Sequence, residues 1–120
     1  MTVVFLNLPE QQEDDPLWKE IEAVTRVRRY HSTTLGELLE RGRDADVLVS
    51  TTLPLRREVL DYLPRVKHVI VPAHAAGRLV ERDIAEQLQV EVHALPDRDG
   101  EFPALEDVLD VLRGIAGPGG

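Results

Sequence analysis

Three short polar stretches each follow an apolar run: Asn7-Leu-Pro-Glu10, Ser50-Thr51-Thr52 and Pro72-Ala-His-Ala-Ala-Gly77. They offer an amide, hydroxyls, one imidazole and backbone amides that small side chains leave uncovered. Such groups suit a small carboxylate or phosphate held by hydrogen bonds and by exposed N–H groups at helix starts. Asn7, Ser50, Thr51, Thr52, His74, Ala75, Ala76 and Gly77 are therefore the candidate substrate-binding residues. The plainer alternative is that Thr51 or Thr52 caps the following helix and that Gly77 relieves a tight turn.

His74 is the one histidine in these stretches. No carboxylate partner for it is visible in the local sequence, so no catalytic residue is assigned. His31, His68 and His93 fall on or beside strand-like segments, and no pair has the spacing of a zinc site or a metalloprotease helix. No metal is expected. The absence of cysteine removes thiol catalysis, thiolate metal sites and disulfides together. With 14 Lys+Arg against 22 Asp+Glu, the net charge of −8 repels phosphates at long range and argues against nucleic acid and anionic membrane as partners.

These polar stretches must be positioned by regular elements. Val3 to Leu6 is apolar throughout, and Ala45 to Ser50 and Val66 to Val71 have the apolar runs Val47 to Val49 and Val69 to Val71, as strands buried on both faces do. Arg26 to His31 and Val90 to Ala94 are half polar, which places them at sheet edges, where the three arginines Arg26, Arg28 and Arg29 also block edge-to-edge pairing. Helices are expected over residues 16 to 25 behind Asp14-Asp15-Pro16, from a capping box at Thr34 and Glu37 to near Gly42, and from Thr51-Thr52-Leu53-Pro54 to Pro64. A further helix carries Val80, Ile84 and Leu88. The last, over 102 to 116, has Pro103 in its first turn and a stripe of Leu105, Val108, Leu109, Leu112 and Ile115; Gly114, Gly117 and Pro118-Gly119-Gly120 end it. Residues 73 to 77 and 96 to 101 are expected as a small-residue loop and a long turn.

Five strands alternating with five helices imply a parallel sheet with right-handed crossovers. Edge polarity selects the order 2-1-3-4-5, a flavodoxin-like three-layer α/β sandwich with helices on both faces. The 120 residues are expected to form one domain over 1 to 120, closed by the 102 to 116 helix. Apolar runs of six residues or so cannot span a bilayer, and no basic segment leads an apolar one at Met1, so a cytoplasmic chain is expected.

Other chemistries of this architecture lack their residues. A phosphoacceptor domain needs a carboxylate where Ser50 stands and a lysine after the fifth strand. A flavin phosphate needs a hydroxyl- and glycine-rich loop where Leu8-Pro-Glu-Gln-Gln-Glu13 stands. Neither a dinucleotide glycine fingerprint nor a P-loop occurs, so no cofactor is expected.

Residues 35 to 95, or 1 to 95 with the first strand and helix counted, resemble the substrate-binding (catalytic) domain of the D-isomer-specific 2-hydroxyacid dehydrogenases. Asp44-Ala-Asp-Val-Leu-Val-Ser-Thr-Thr-Leu-Pro-Leu-Arg-Arg-Glu-Val-Leu60 resembles a family strand, polar turn and helix. Pro64-Arg-Val-Lys-His-Val-Ile-Val-Pro-Ala-His-Ala-Ala-Gly77 resembles the next strand and its small-residue loop, and Glu81 to Leu95 continues the likeness. The resemblance implies substrate contacts, largely through backbone groups, at Ser50, Thr51, Ala75, Ala76 and Gly77. It also implies that the NAD-binding domain, with the family's catalytic residues, is missing from this chain. The expectation is a stand-alone substrate-binding domain, non-catalytic by itself, taking a small 2-oxo or 2-hydroxy carboxylate. The alternatives are half of a split dehydrogenase paired with a separate NAD-binding chain, a structural or regulatory interaction module, self-association included, and an engineered or excised domain.

Overall fold

The computed structural model describes residues 1–98 and 102–117. Its five strands are β1 (Thr2–Phe5), β2 (Arg26–Arg29), β3 (Val47–Val49), β4 (His68–Pro72) and β5 (Glu91–Leu95). All pairings are parallel, and the order is β2-β1-β3-β4-β5. The helices are α1 (Trp18–Val24), α2 (Leu35–Arg41), α3 (Arg57–Tyr62), α4 (Ala76–Leu79), α5 (Arg82–Leu88) and α6 (Leu105–Ala116), with 3-10 turns at Glu10–Gln12 and Ala73–Ala75.

The central strands carry apolar residues on both faces because alternate residues enter two separate cores. Val3, Phe5, Val47, Val49 and Ile70 pack beneath α1 and α6, together with Trp18, Ile21, Leu105, Val108, Leu109 and Leu112. Val4, Leu48, Val69 and Val71 face the opposite way, against Leu38, Val59, Leu60, Leu79 and Ala85 of α2 to α5. Burying each of the larger side chains contributes roughly 1.5–3 kcal/mol. The edge strands are the two polar ones: in β2, Arg26, Arg28 and Arg29 are exposed, and Arg29 lies 4.5 Å over the Trp18 ring.

The capping box forms as expected. Thr34 Oγ1 accepts from the Glu37 amide at 3.2 Å, while the Glu37 carboxylate accepts from the Thr34 amide at 2.9 Å. That bond, first to the backbone and then to the hydroxyl of Thr34, holds the Glu37 carboxyl below its ordinary value.

Four details differ from the expectations. Residues 73 to 79 are helical rather than a loop, because alanine is a strong helix former and Pro72 stands extended just before the first turn. Gly77 accordingly sits inside α4 and relieves no turn. The helix expected after Thr52 begins only at Arg57, with Arg56 as its N-cap, so neither threonine caps it. Pro54 disfavours a helical Leu53, and the Leu55 amide donates to the Leu79 carbonyl at 2.8 Å, which keeps this stretch extended. Pro103 precedes α6 rather than lying in its first turn, and Gly114 does not end that helix, which runs to Ala116 and closes at Gly117 with φ 86°. Residues 99 to 101 of the expected long turn and 118 to 120 of the expected terminus lie outside the described residues.

Candidate functional site

In this topology the chain leaves β1 toward one side of the sheet and β3 toward the other, opening a crevice at the carboxyl ends of those strands. The residues there are tied to neighbouring strands by backbone bonds: Leu6 N to Val49 O at 3.0 Å, Leu8 N to Tyr30 O at 2.8 Å and Ser50 N to Ile70 O at 3.0 Å. Asn7, Ser50 and Thr51 therefore occupy adjacent positions on one rim. The segment from Ala73 to Gly77 continues that rim past β4.

Their availability differs. Ser50 is fully buried, and its hydroxyl donates to the Leu53 carbonyl at 2.8 Å, so it shapes the turn. Thr51 is half-buried, and Thr52 and Gly77 are exposed. Ala75 is buried and Ala76 half-buried. Asn7 is half-buried, and its amide oxygen is out of water with no partner among the described residues. A buried acceptor without a donor is costly, on the order of 1–3 kcal/mol, which makes it a point where a ligand hydroxyl can dock.

His74 has the carboxylate partner that local sequence did not reveal: its Nδ1 donates to Asp97, just beyond β5. Asp97 is mostly buried, and its other oxygen, like that of Asn7, has no partner among the described residues. The His74 ring is exposed, and pairing through Nδ1 leaves Nε2 for another partner. Only when doubly protonated does a histidine held in this way present an Nε2–H to an incoming carboxylate. The helix-start amides expected after β3 are not at the rim, since the chain bends at Thr51 and Thr52 and enters α3 only at Arg57.

A second group of side chains was not legible from spacing. His68 opens β4 opposite Glu91, and His93 lies two residues along β5 on the same face. His68 Nδ1 and His93 Nε2 are 3.2 Å apart, and Glu91 Oε2 is 3.4 Å from the first and 3.9 Å from the second. Burial pulls His93 below the ordinary imidazole range, Glu91 opposes that shift and His68 adds to it. The only local signal was the Glu-x-His alternation of Glu91 and His93. Its partner is 25 residues from His93 and reaches it through strand register.

No protein-family model matches the chain, and no curated protein sequence matches it. Solved structures do resemble it. An acyclic imino acid reductase, solved with NADPH and D-Arg, has a TM-score of 0.69 at 12% identity over 81% of this chain and 31% of its own. A putative D-3-phosphoglycerate dehydrogenase from Ralstonia solanacearum has a TM-score of 0.66 at 17% identity, over 81% of this chain and 30% of its own. D-lactate dehydrogenase from Escherichia coli has a TM-score of 0.66 at 15% identity, over 82% and 32%. The fold implied by the resemblance is thus the fold found, recurring in D-lactate and D-2-hydroxyisocaproate dehydrogenases. The chain spans about a third of the length of these proteins. Among the described residues, no helix is long and apolar enough to cross a membrane.

Proposed function

We propose that this chain is a substrate-side domain of the D-2-hydroxyacid dehydrogenase type, and that its rim binds a small 2-oxo or 2-hydroxy carboxylate. The observation that carries the reading is the placement at one sheet end of Asn7, Thr51 and the His74–Asp97 pair, with buried acceptors on Asn7 and Asp97 that find no donor among the described residues. A 2-hydroxy acid supplies the complementary set. Its hydroxyl donates to an orphan oxygen, and its carboxylate accepts from the protonated His74 ring and from backbone amides.

Hydride transfer needs a nicotinamide beside the substrate. No run of this chain matches the glycine-rich loop that a dinucleotide requires, so no step of the reading passes through that cofactor. These residues bind and orient; chemistry belongs to a nucleotide-binding domain, in the same protein or in a separate chain.

Calorimetric titration with pyruvate and D-lactate, with propionate as the acid lacking a 2-oxygen, tests the reading. Saturable binding of the first two near 1 mM or tighter, at least about tenfold above propionate, is expected. A flat response to all three contradicts it and favours an interaction module.

A further inference from the structure

We infer that His68, Glu91 and His93 form a binding site for a divalent transition-metal ion, with zinc the best fit, at the sheet edge beneath α6. The site lies at the amino ends of β4 and β5, the opposite end of the strands from the rim, and stands independently of the ligand proposed there.

The distances match the ion. A triangle with sides of 3.2, 3.4 and 3.9 Å has its centre about 2.0 Å from each corner, the length of a zinc bond to imidazole nitrogen or carboxylate oxygen. The donor set matches as well. Two imidazoles and one carboxylate suit zinc and its late transition-metal neighbours, whereas magnesium and calcium want oxygen ligands throughout.

A cation takes up all three donor atoms once the rings turn about Cβ–Cγ so that their lone pairs converge, each ring carrying its proton on the other nitrogen.

The surroundings leave room. The imidazole side chains are only 21% and 20% exposed, while Glu91 is 67% exposed and free to swing in. An open cleft of about 410 Å³ joins the three to Val111, Gly114 and Ile115 of α6. A Cβ on Gly114 would meet nothing within 4 Å, so the helix does not crowd the approach. An ion bound here keeps a fourth position for water and ties the edge strand β5 to β4.

The test is calorimetric titration of the tag-free, chelator-treated full chain with zinc chloride, run beside magnesium chloride. One zinc per chain, no magnesium heat, a zinc-dependent rise in Tm and a cobalt spectrum of tetrahedral type are expected. His68→Ala, His93→Gln and Glu91→Gln should each weaken zinc binding, the histidine changes by more than the roughly 10–100-fold that loss of an outer hydrogen-bond partner costs. His31→Ala, at the other edge, should leave it unchanged. Melting of each variant without metal verifies that it folds, and His93→Gln keeps a polar side chain should His68→Ala fail to do so. Absence of zinc binding by the unaltered chain up to about 1 mM overturns the inference. So does full zinc affinity in a folded variant of either histidine.

Discussion

The imidazole of His74 donates to the carboxylate of Asp97, joining the first turn after β4 to the chain just past β5. If that pair presents Nε2 to a ligand carboxylate, His74→Ala should weaken binding of a 2-hydroxy acid about tenfold, the loss of one charge-assisted hydrogen bond of about 1.4 kcal/mol. Asp97→Asn should weaken it in the same direction, since an amide oxygen accepts the Nδ1 hydrogen bond less strongly than a carboxylate and orients the ring less firmly. His74→Ala also takes a partner from the mostly buried Asp97 carboxylate, so stability should fall by about 1–3 kcal/mol in that variant. Unaltered affinity in both variants, measured by calorimetry, contradicts the role.

Leu112 of α6 is fully buried between the helix and the sheet, in the cluster that also holds Trp18 and Ile21 of α1. Leu112→Ala should lower the unfolding free energy by about 2–5 kcal/mol in urea titrations. A loss under about 1 kcal/mol would mean that α6 is not part of the core.

Arg98 holds Asp107 with two hydrogen bonds, 2.7 and 2.9 Å, across the approach to α6. The hydrogen bond from Arg98 lowers the Asp107 carboxyl below its usual value; burial opposes this and the arginine charge adds to it. A depressed carboxyl stabilises the folded state above the unfolded value near pH 4 and loses that contribution as pH falls through the folded value. Arg98→Ala should therefore raise the Asp107 titration midpoint, followed by carboxyl carbon NMR. It should also reduce stability at pH 6 to 7, and by progressively less as the pH falls through the folded carboxyl's own midpoint. Equal Asp107 midpoints in the two proteins contradict the pairing.

The sheet was legible because its chemistry is local. Runs such as Val3 to Leu6 and Val69 to Val71 have both faces buried, and the arginines of β2 mark an edge, so strand order followed from composition alone. Thr34 and Glu37 were legible for the same reason: a capping box is complete within four residues. Ala73 to Gly77 was misread because small residues suit a loop and a helix equally, and only the packing of Ala75 and Leu79 into the core decides between them. The caps assigned to Thr51 and Thr52 failed on a distant bond, Leu55 to Leu79. Both histidine pairings were invisible for a related reason. Asp97 reaches His74, and His93 reaches His68, through the parallel register of β4 with β5, which no local spacing records.

The most direct measurement is an NMR titration of the isotope-labelled chain with D-lactate, resolving backbone amides and the Asn7 side-chain amide. Saturable shifts confined to Asn7, Thr51 and the segment from His74 to Gly77, with β2 and the His68 and His93 rings unmoved, are predicted. Spectra unchanged at about 10 mM ligand, or shifts centred away from the carboxyl ends of β1, β3 and β4, would contradict the account.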